Sequence, residues 1–299
     1  MNYALDALWW KLTRPAVRDL ASLLTAPPLW HSGCELNVRT LLGEQGFRYL
    51  LSLDANPQPL ETHLAAHRPF HYRLGQYAEQ LLAFWFAHAP HSELLAHNLS
   101  VFAQGLTLGA ADFIAKLNGE AYHIELTCKY YGSANGSYET LRGLNRQDRL
   151  ADKAAKLPQQ LLLFKFSDGL HTLAAHHLPT DLKTASIVRG IGFFPAAQQT
   201  FEPPLNPYGW RGVYLERWDE CPPDPERRYC LLERMAYLAP ARIKAEQTLS
   251  AAEITAVESG LVAVLEQRPD GCWHEILRIM KAMPSENRTR HFASAENPV

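Results

Sequence analysis

A change of hydrophobic period near residue 90 limits this chain to a mixed α/β architecture. Residues 72–88, YRLGQYAEQLLAFWFAH, repeat apolar side chains at Leu74, Tyr77, Ala78, Leu81, Leu82 and Trp85. That i, i+3, i+4 spacing is the stripe of a helix packed on a core. Segments 98–107, 110–117 and 120–130 then read as short strands separated by turn residues. In the third, Tyr122, Ile124, Leu126 and Cys128 alternate with His123, Glu125, Thr127 and Lys129, as in a half-buried strand with one polar face. Asn118-Gly119 predicts the hairpin turn before it, because both residues tolerate positive φ.

The remaining elements follow from the same signals. Residues 3–24 read as one or two amphipathic helices, stopped by Pro27 and Pro28. Residues 131–139 read as an exposed, mobile loop, 146–157 as helix and LLLFKF at 161–166 as a strand. Further strands are expected at 185–194, 212–217 and 228–238. Ser250 and Glu253 form a capping-box pattern at the start of a helix, 250–258. Pro269-Asp270-Gly271 turns a final hairpin within 260–283. We divide the chain into an N-terminal helical extension (1–30), one domain (31–283) and a polar tail (284–299).

Charge and cysteine content exclude several classes. With 29 Lys+Arg against 31 Asp+Glu the net charge is -2, so any phosphate-binding surface has to be a local patch. The five cysteines are odd in number and contain no CxxC pair, against a disulfide framework or a thiolate zinc site. The N-terminus has no signal-peptide pattern and no apolar run is long enough for a bilayer, so the expectation is a cytoplasmic protein with no membrane partner. His63 and His67 are i, i+4 but lack a third zinc ligand, and Cys128 belongs to the apolar strand face.

The chemistry-bearing residues cluster around the third strand. Glu125 and Lys129 share its polar face, and Asp112 joins them if the two strands pair as a hairpin. Two carboxylates aimed at one point suit a hard cation such as Mg²⁺. After them, Arg146, Arg149, Lys153 and Lys156 fall on one face of the expected helix, a local excess of positive charge suited to phosphates. The bland alternative is a solvated polar strand face beside a solvated basic helix.

RLGQYAEQLLAFWF, GAADFIAK, HIELTCKYY and GLNRQDRLADKAAKL together resemble a bacterial family, domain of unknown function 1853, over roughly residues 30–290. That family is grouped with the PD-(D/E)xK phosphodiesterase superfamily. The resemblance implies a restriction-endonuclease-like core of helix, three mostly antiparallel strands, helix and strand, with N- and C-terminal additions. It implies a Mg²⁺- or Mn²⁺-dependent nuclease acting on DNA or RNA. Glu79 would be the first-helix acid and Lys129 the signature lysine, both catalytic. Asp112 would be the signature aspartate and, with Glu125, would hold the metal. The chain departs from the pattern: Ala111 stands where a proline often precedes the aspartate, and Thr127 where an acid usually lies two residues before the lysine. Thr127 favours a rival reading, a catalytically degenerate module that binds nucleic acid or a protein partner. A third reading is a structural protein with no nucleic-acid role.

Overall fold

The computed structural model describes residues 11–284. The early part of the expected 3–24 helix and nearly all of the polar tail lie outside them. Helix α1 (Pro15–Thr25) starts with proline, whose missing N–H costs nothing in a first turn. Short helices α2 (Val38–Leu42), α3 (Gly46–Ala55) and α4 (Gln58–Ala66) lead to α5 (Leu74–His88). Strands β1 (Ser92–Ala103), β2 (Leu106–Leu117) and β3 (Glu120–Gly132) form an antiparallel meander. Asn118 and Gly119 turn β2 into β3 at φ 53° and 84°, the left-handed values expected of that pair.

Helix α6 (Leu150–Leu161) and α7 (Ser167–Ala175) precede β4 (Lys183–Phe194), which runs parallel to β3. Gly190 sits in β4 at φ 131°, where a Cβ would collide with the Lys129 carbonyl oxygen. The second half adds β5 (Arg211–Leu215), β6 (Arg228–Leu231), β7 (Arg242–Ile243), α8 (Ala251–Ile254), β8 (Gly260–Gln267) and β9 (Trp273–Lys281). Ser250 and Glu253 cap α8 reciprocally, and β8–β9 is the expected hairpin, with Gly271 at φ 78°. One mixed sheet of nine strands results among the described residues, ordered β1-β2-β3-β4-β5-β9-β8-β6 with β7 on β9. Its parallel joints are β3–β4, β4–β5 and β5–β9.

The faces of the sheet follow the period-two pattern. Phe113, Ala115 and Leu117 of β2 and Ile124 of β3 pack under α1 and α5 in the largest core. There Leu81, Leu82 and Trp85 are fully buried, and each such side chain contributes about 1.5–3 kcal/mol. The opposite face carries Tyr131 and Val188 against Leu150, Leu157 and Leu161 of α6. Leu20, Leu23 and Leu24 of α1 belong to the main core, although they fall in the segment set apart as an N-terminal extension.

A buried polar clamp joins helix α1 to the 237–241 segment and β9. Asp19 accepts from the Tyr77 hydroxyl (2.9 Å) and the Ala239 N–H (3.1 Å). Arg18 donates to the Pro240 carbonyl, and Ser22 to the Leu238 carbonyl. From β9, Arg278 pairs with Glu275 through two 2.7 Å bonds and reaches the Tyr237 and Ala239 carbonyls. The 237–241 segment is thereby satisfied from both sides.

Several local expectations are corrected: the strand expected at 98–107 is broken by the β1–β2 turn at Gln104-Gly105, and the one expected at 228–238 ends at Leu231 before a 3-10 turn. Residues 161–166 are not a strand: the α6 end and a short 3-10 turn bury Leu161 and Phe164 at helical spacing and leave Leu162 and Phe166 exposed. The loop expected at 131–139 starts later, since Tyr131 and Gly132 complete β3 and Ser133 is buried. Helix α6 begins at Leu150 rather than 146, because the chain first folds back on β3: Gly132 and Arg142 exchange backbone bonds, and Arg142 bridges Arg149.

Candidate functional site

The site lies where β2 leaves β3. The last paired residues are Phe113 and Ile124, and the next pair would be Asp112 and Glu125. There the backbone ladder stops, and Asp112 Oδ2 accepts a 2.7 Å bond from the Leu126 N–H instead. On the other side of β2, Asn98 stands between the His97–Phe113 and Leu99–Ala111 pairs, hence opposite Asp112. Its φ of 54° is left-handed, a conformation asparagine tolerates better than most residues. The Asn98 amide stands beside His97 Nε2 at 3.2 Å and close enough to Glu79, which α5 brings to the same fork, to favour its charged form.

Glu125 is only 1% exposed and is held from two directions. His123 Nε2–H donates to its Oε1 at 2.8 Å, and the Gln160 amide of α6 donates to its Oε2 at 2.9 Å. Lys153 donates to Gln160 Oε1 at 3.3 Å, so a cation closes the chain of contacts. Thr127, the next residue on this strand face, is buried with no hydrogen-bond partner for its hydroxyl.

The electrostatics follow from burial and crowding. Burial, then the Glu125 and Glu79 charges, push Asp112 up to about 7, against the opposing Leu126 N–H and Lys153. Burial and Glu125 also raise Glu79, opposed by Asn98 and Lys153. Buried carboxylates repelling one another are a recurrent feature of functional sites.

Glu79, Asp112, Glu125 and Lys153 are therefore brought together. Lys129 is not part of this group. It shares the strand face, but its ammonium pairs with Asp148 at 2.7 Å, and Asp148 also accepts from Tyr131. The single-helix-face expectation for the basic residues also needs correction. Arg146 lies in the loop before α6, bound to Glu216 and the Met283 carbonyl, and Arg149 is the residue before the helix. Only Lys153 and Lys156 lie within α6, Lys156 on its exposed side. Three members of the site, Asn98, His123 and Gln160, do not follow from the sequence motifs. His123 is legible as a member of the polar strand face; Asn98 and Gln160 carry no local signal.

The donor set suits a hard cation on chemical grounds: carboxylate oxygens and the unpartnered Thr127 hydroxyl. Among the described residues no three His, Cys, Asp or Glu side chains are grouped closely enough to cage a metal ion. A site here would rest on two carboxylates and water, the arrangement Mg²⁺ prefers. The His63 and His67 rings meet at a tilt of 37°, with His63 bound to Gln80, and Cys128 lies on the apolar face beside Tyr130. No helix among the described residues is long and apolar enough to cross a membrane.

No curated protein and no solved structure matches the chain. Residues 18–281 match the family described as Domain of unknown function (DUF1853), nearly the whole length of the described fold, and the chain belongs to that family.

Proposed function

We propose that the protein is a Mg²⁺-dependent phosphodiesterase acting on nucleic acid, built on a restriction-endonuclease-like core. The observation that carries this reading is Asp112 at the β2–β3 fork, crowded by Glu125 and Glu79, with its carboxyl pushed up to about 7. The order α5, β1, β2, β3, α6, α7, β4, with β4 parallel to β3, supports the core assignment with one helix added before β4. Asp112 and Glu125 would hold the ion, which when bound would polarise a phosphoryl oxygen and lower the pKa of a bound water. His123 and Gln160 fix the Glu125 carboxylate in orientation, as outer partners of metal ligands do. Lys153 offers a positive charge that acts on both Asp112 and Glu79. Titration calorimetry with Mn²⁺ and Mg²⁺-dependent cleavage of mixed single- and double-stranded DNA and RNA test the reading. Absence of both metal binding and cleavage would overturn it.

A second reading, a nuclease-fold module that binds nucleic acid without cutting it, is favoured by two contacts. Lys129 is engaged by Asp148, and both Glu125 oxygens already accept bonds. Salt-dependent nucleic-acid binding without cleavage on any substrate would select it.

A further inference from the structure

A large cleft lies away from the carboxylates. It encloses about 1600 Å³ at the far end of β3, beginning at Gly132. From Glu125 to Gly132 is seven residues, roughly 23 Å of strand. Five cationic side chains and two carboxylates, Glu216 and Glu258, line it, in a chain whose net charge is -2. Three of those cations are already engaged. Arg146 is bound to Glu216, Arg217 to Asp219, and Lys281 donates to the Glu216, Glu258 and Ala282 carbonyls. The other two have no carboxylate among the described residues. Among the described residues the Arg142 guanidinium donates only to the Arg146 carbonyl, and the buried Arg149 Nε has no acceptor. Trp218, Met280 and Leu144 give the walls an apolar share.

Two guanidinium groups without counter-charge among the described residues, in a cleft with apolar walls, call for an anion that also carries apolar rings. The volume exceeds the 300–1,000 Å³ or so typical of a single small ligand. We propose that the cleft binds a short single strand of nucleic acid, with Arg142 and Arg149 as the side chains that contact its phosphates. This deepens the phosphodiesterase reading, on which the choice of a nucleic-acid strand rests. Lys129 lies between Glu125 and Gly132 on β3, so a strand running from the cleft to the acids would pass it.

The test is fluorescence anisotropy of the full chain with a labelled 12-nucleotide single strand in EDTA, where no metal-dependent step operates. Arg142→Gln and Arg149→Gln are each expected to weaken binding about tenfold and lower the salt slope by about one. Lys116→Gln, a surface lysine paired with Glu93 on β1, should bind as the parent does. Melting curves check that each variant folds. ATP should compete far more weakly than the unlabelled strand. Unchanged binding in the double Arg variant, equal losses in Lys116→Gln, equal competition by ATP, or no saturable binding would each overturn the inference. Tight, arginine-dependent binding with no Mg²⁺-dependent cleavage would instead sink the phosphodiesterase reading alone.

Discussion

Asp112 accepts the Leu126 N–H at 2.7 Å, so the side chain of one strand takes over where its backbone ladder with the next strand ends. The bond anchors the carboxylate at the open end of the fork while burial and its acidic neighbours push it up to about 7. Holding and repulsion at one oxygen pair make Asp112 the natural first target for substitution.

Asp112→Asn should abolish Mn²⁺ binding measured by calorimetry. In the parent, metal competes with the proton, so affinity should rise roughly tenfold per pH unit up to about pH 7 and level off above it. The carboxyl is raised above its ordinary 3.8, so the fold binds the extra proton between those values and stability falls as pH climbs from about 4 to 7, then levels off. Without metal, Asp112→Asn should therefore melt higher than the parent at pH 8 and show little difference at pH 4. A pH-independent metal affinity would argue against Asp112 as a ligand.

Lys153 and Lys129 should separate cleanly. Each can be changed to Met, which keeps most of the stem and removes the charge. Lys153 acts on Asp112 and Glu79, so its loss should cut Mg²⁺-dependent turnover by about a hundredfold. Lys129 is committed to Asp148, and its loss should cost less than tenfold. The reverse ranking in single-turnover rates would return the catalytic cation to Lys129.

Asp19 predicts a pH trend in stability far from the site. Burial raises it from 3.8 to about 6 despite the Tyr77 and Ala239 bonds and the nearby Arg18 and Arg278. The folded state therefore binds more protons than the unfolded one between those values, and stability drops as pH rises from about 4 to 6. Urea unfolding at stepped pH should show this drop in the parent and a flatter profile in Asp19→Asn.

The Arg278–Glu275 pair is buried, at 1% and 0% side-chain exposure. Arg278→Met strips Glu275 of its bidentate partner and the 237–241 segment of two donors. The expected loss is about 3–5 kcal/mol in denaturant unfolding. Adding Glu275→Gln should recover part of it, since a neutral amide is cheaper to bury. A double variant no more stable than the single would place the cost in the lost carbonyl contacts instead.

Periodicity and turn chemistry alone make the α5 stripe, the β2–β3 hairpin, the β8–β9 hairpin and the Ser250 cap legible in the sequence, because each rests on contacts within a few residues. They also put Glu125 and Lys129 on one strand face, which β3 bears out, since successive side chains must alternate. Periodicity cannot say what meets that face. Asp148 reaches Lys129 because residues 133–149 fold back on the end of β3, and Lys153 approaches the acids because α6 starts at Leu150 and crosses that face. The run 161–166 misleads for a related reason: six residues, mostly apolar, fit a strand or a helix end equally well, and only the pockets filled by Leu161 and Phe164 decide between them. The strand fixes the direction of a side chain through its own backbone geometry. The partner waiting there is set by long-range packing, which no local pattern encodes.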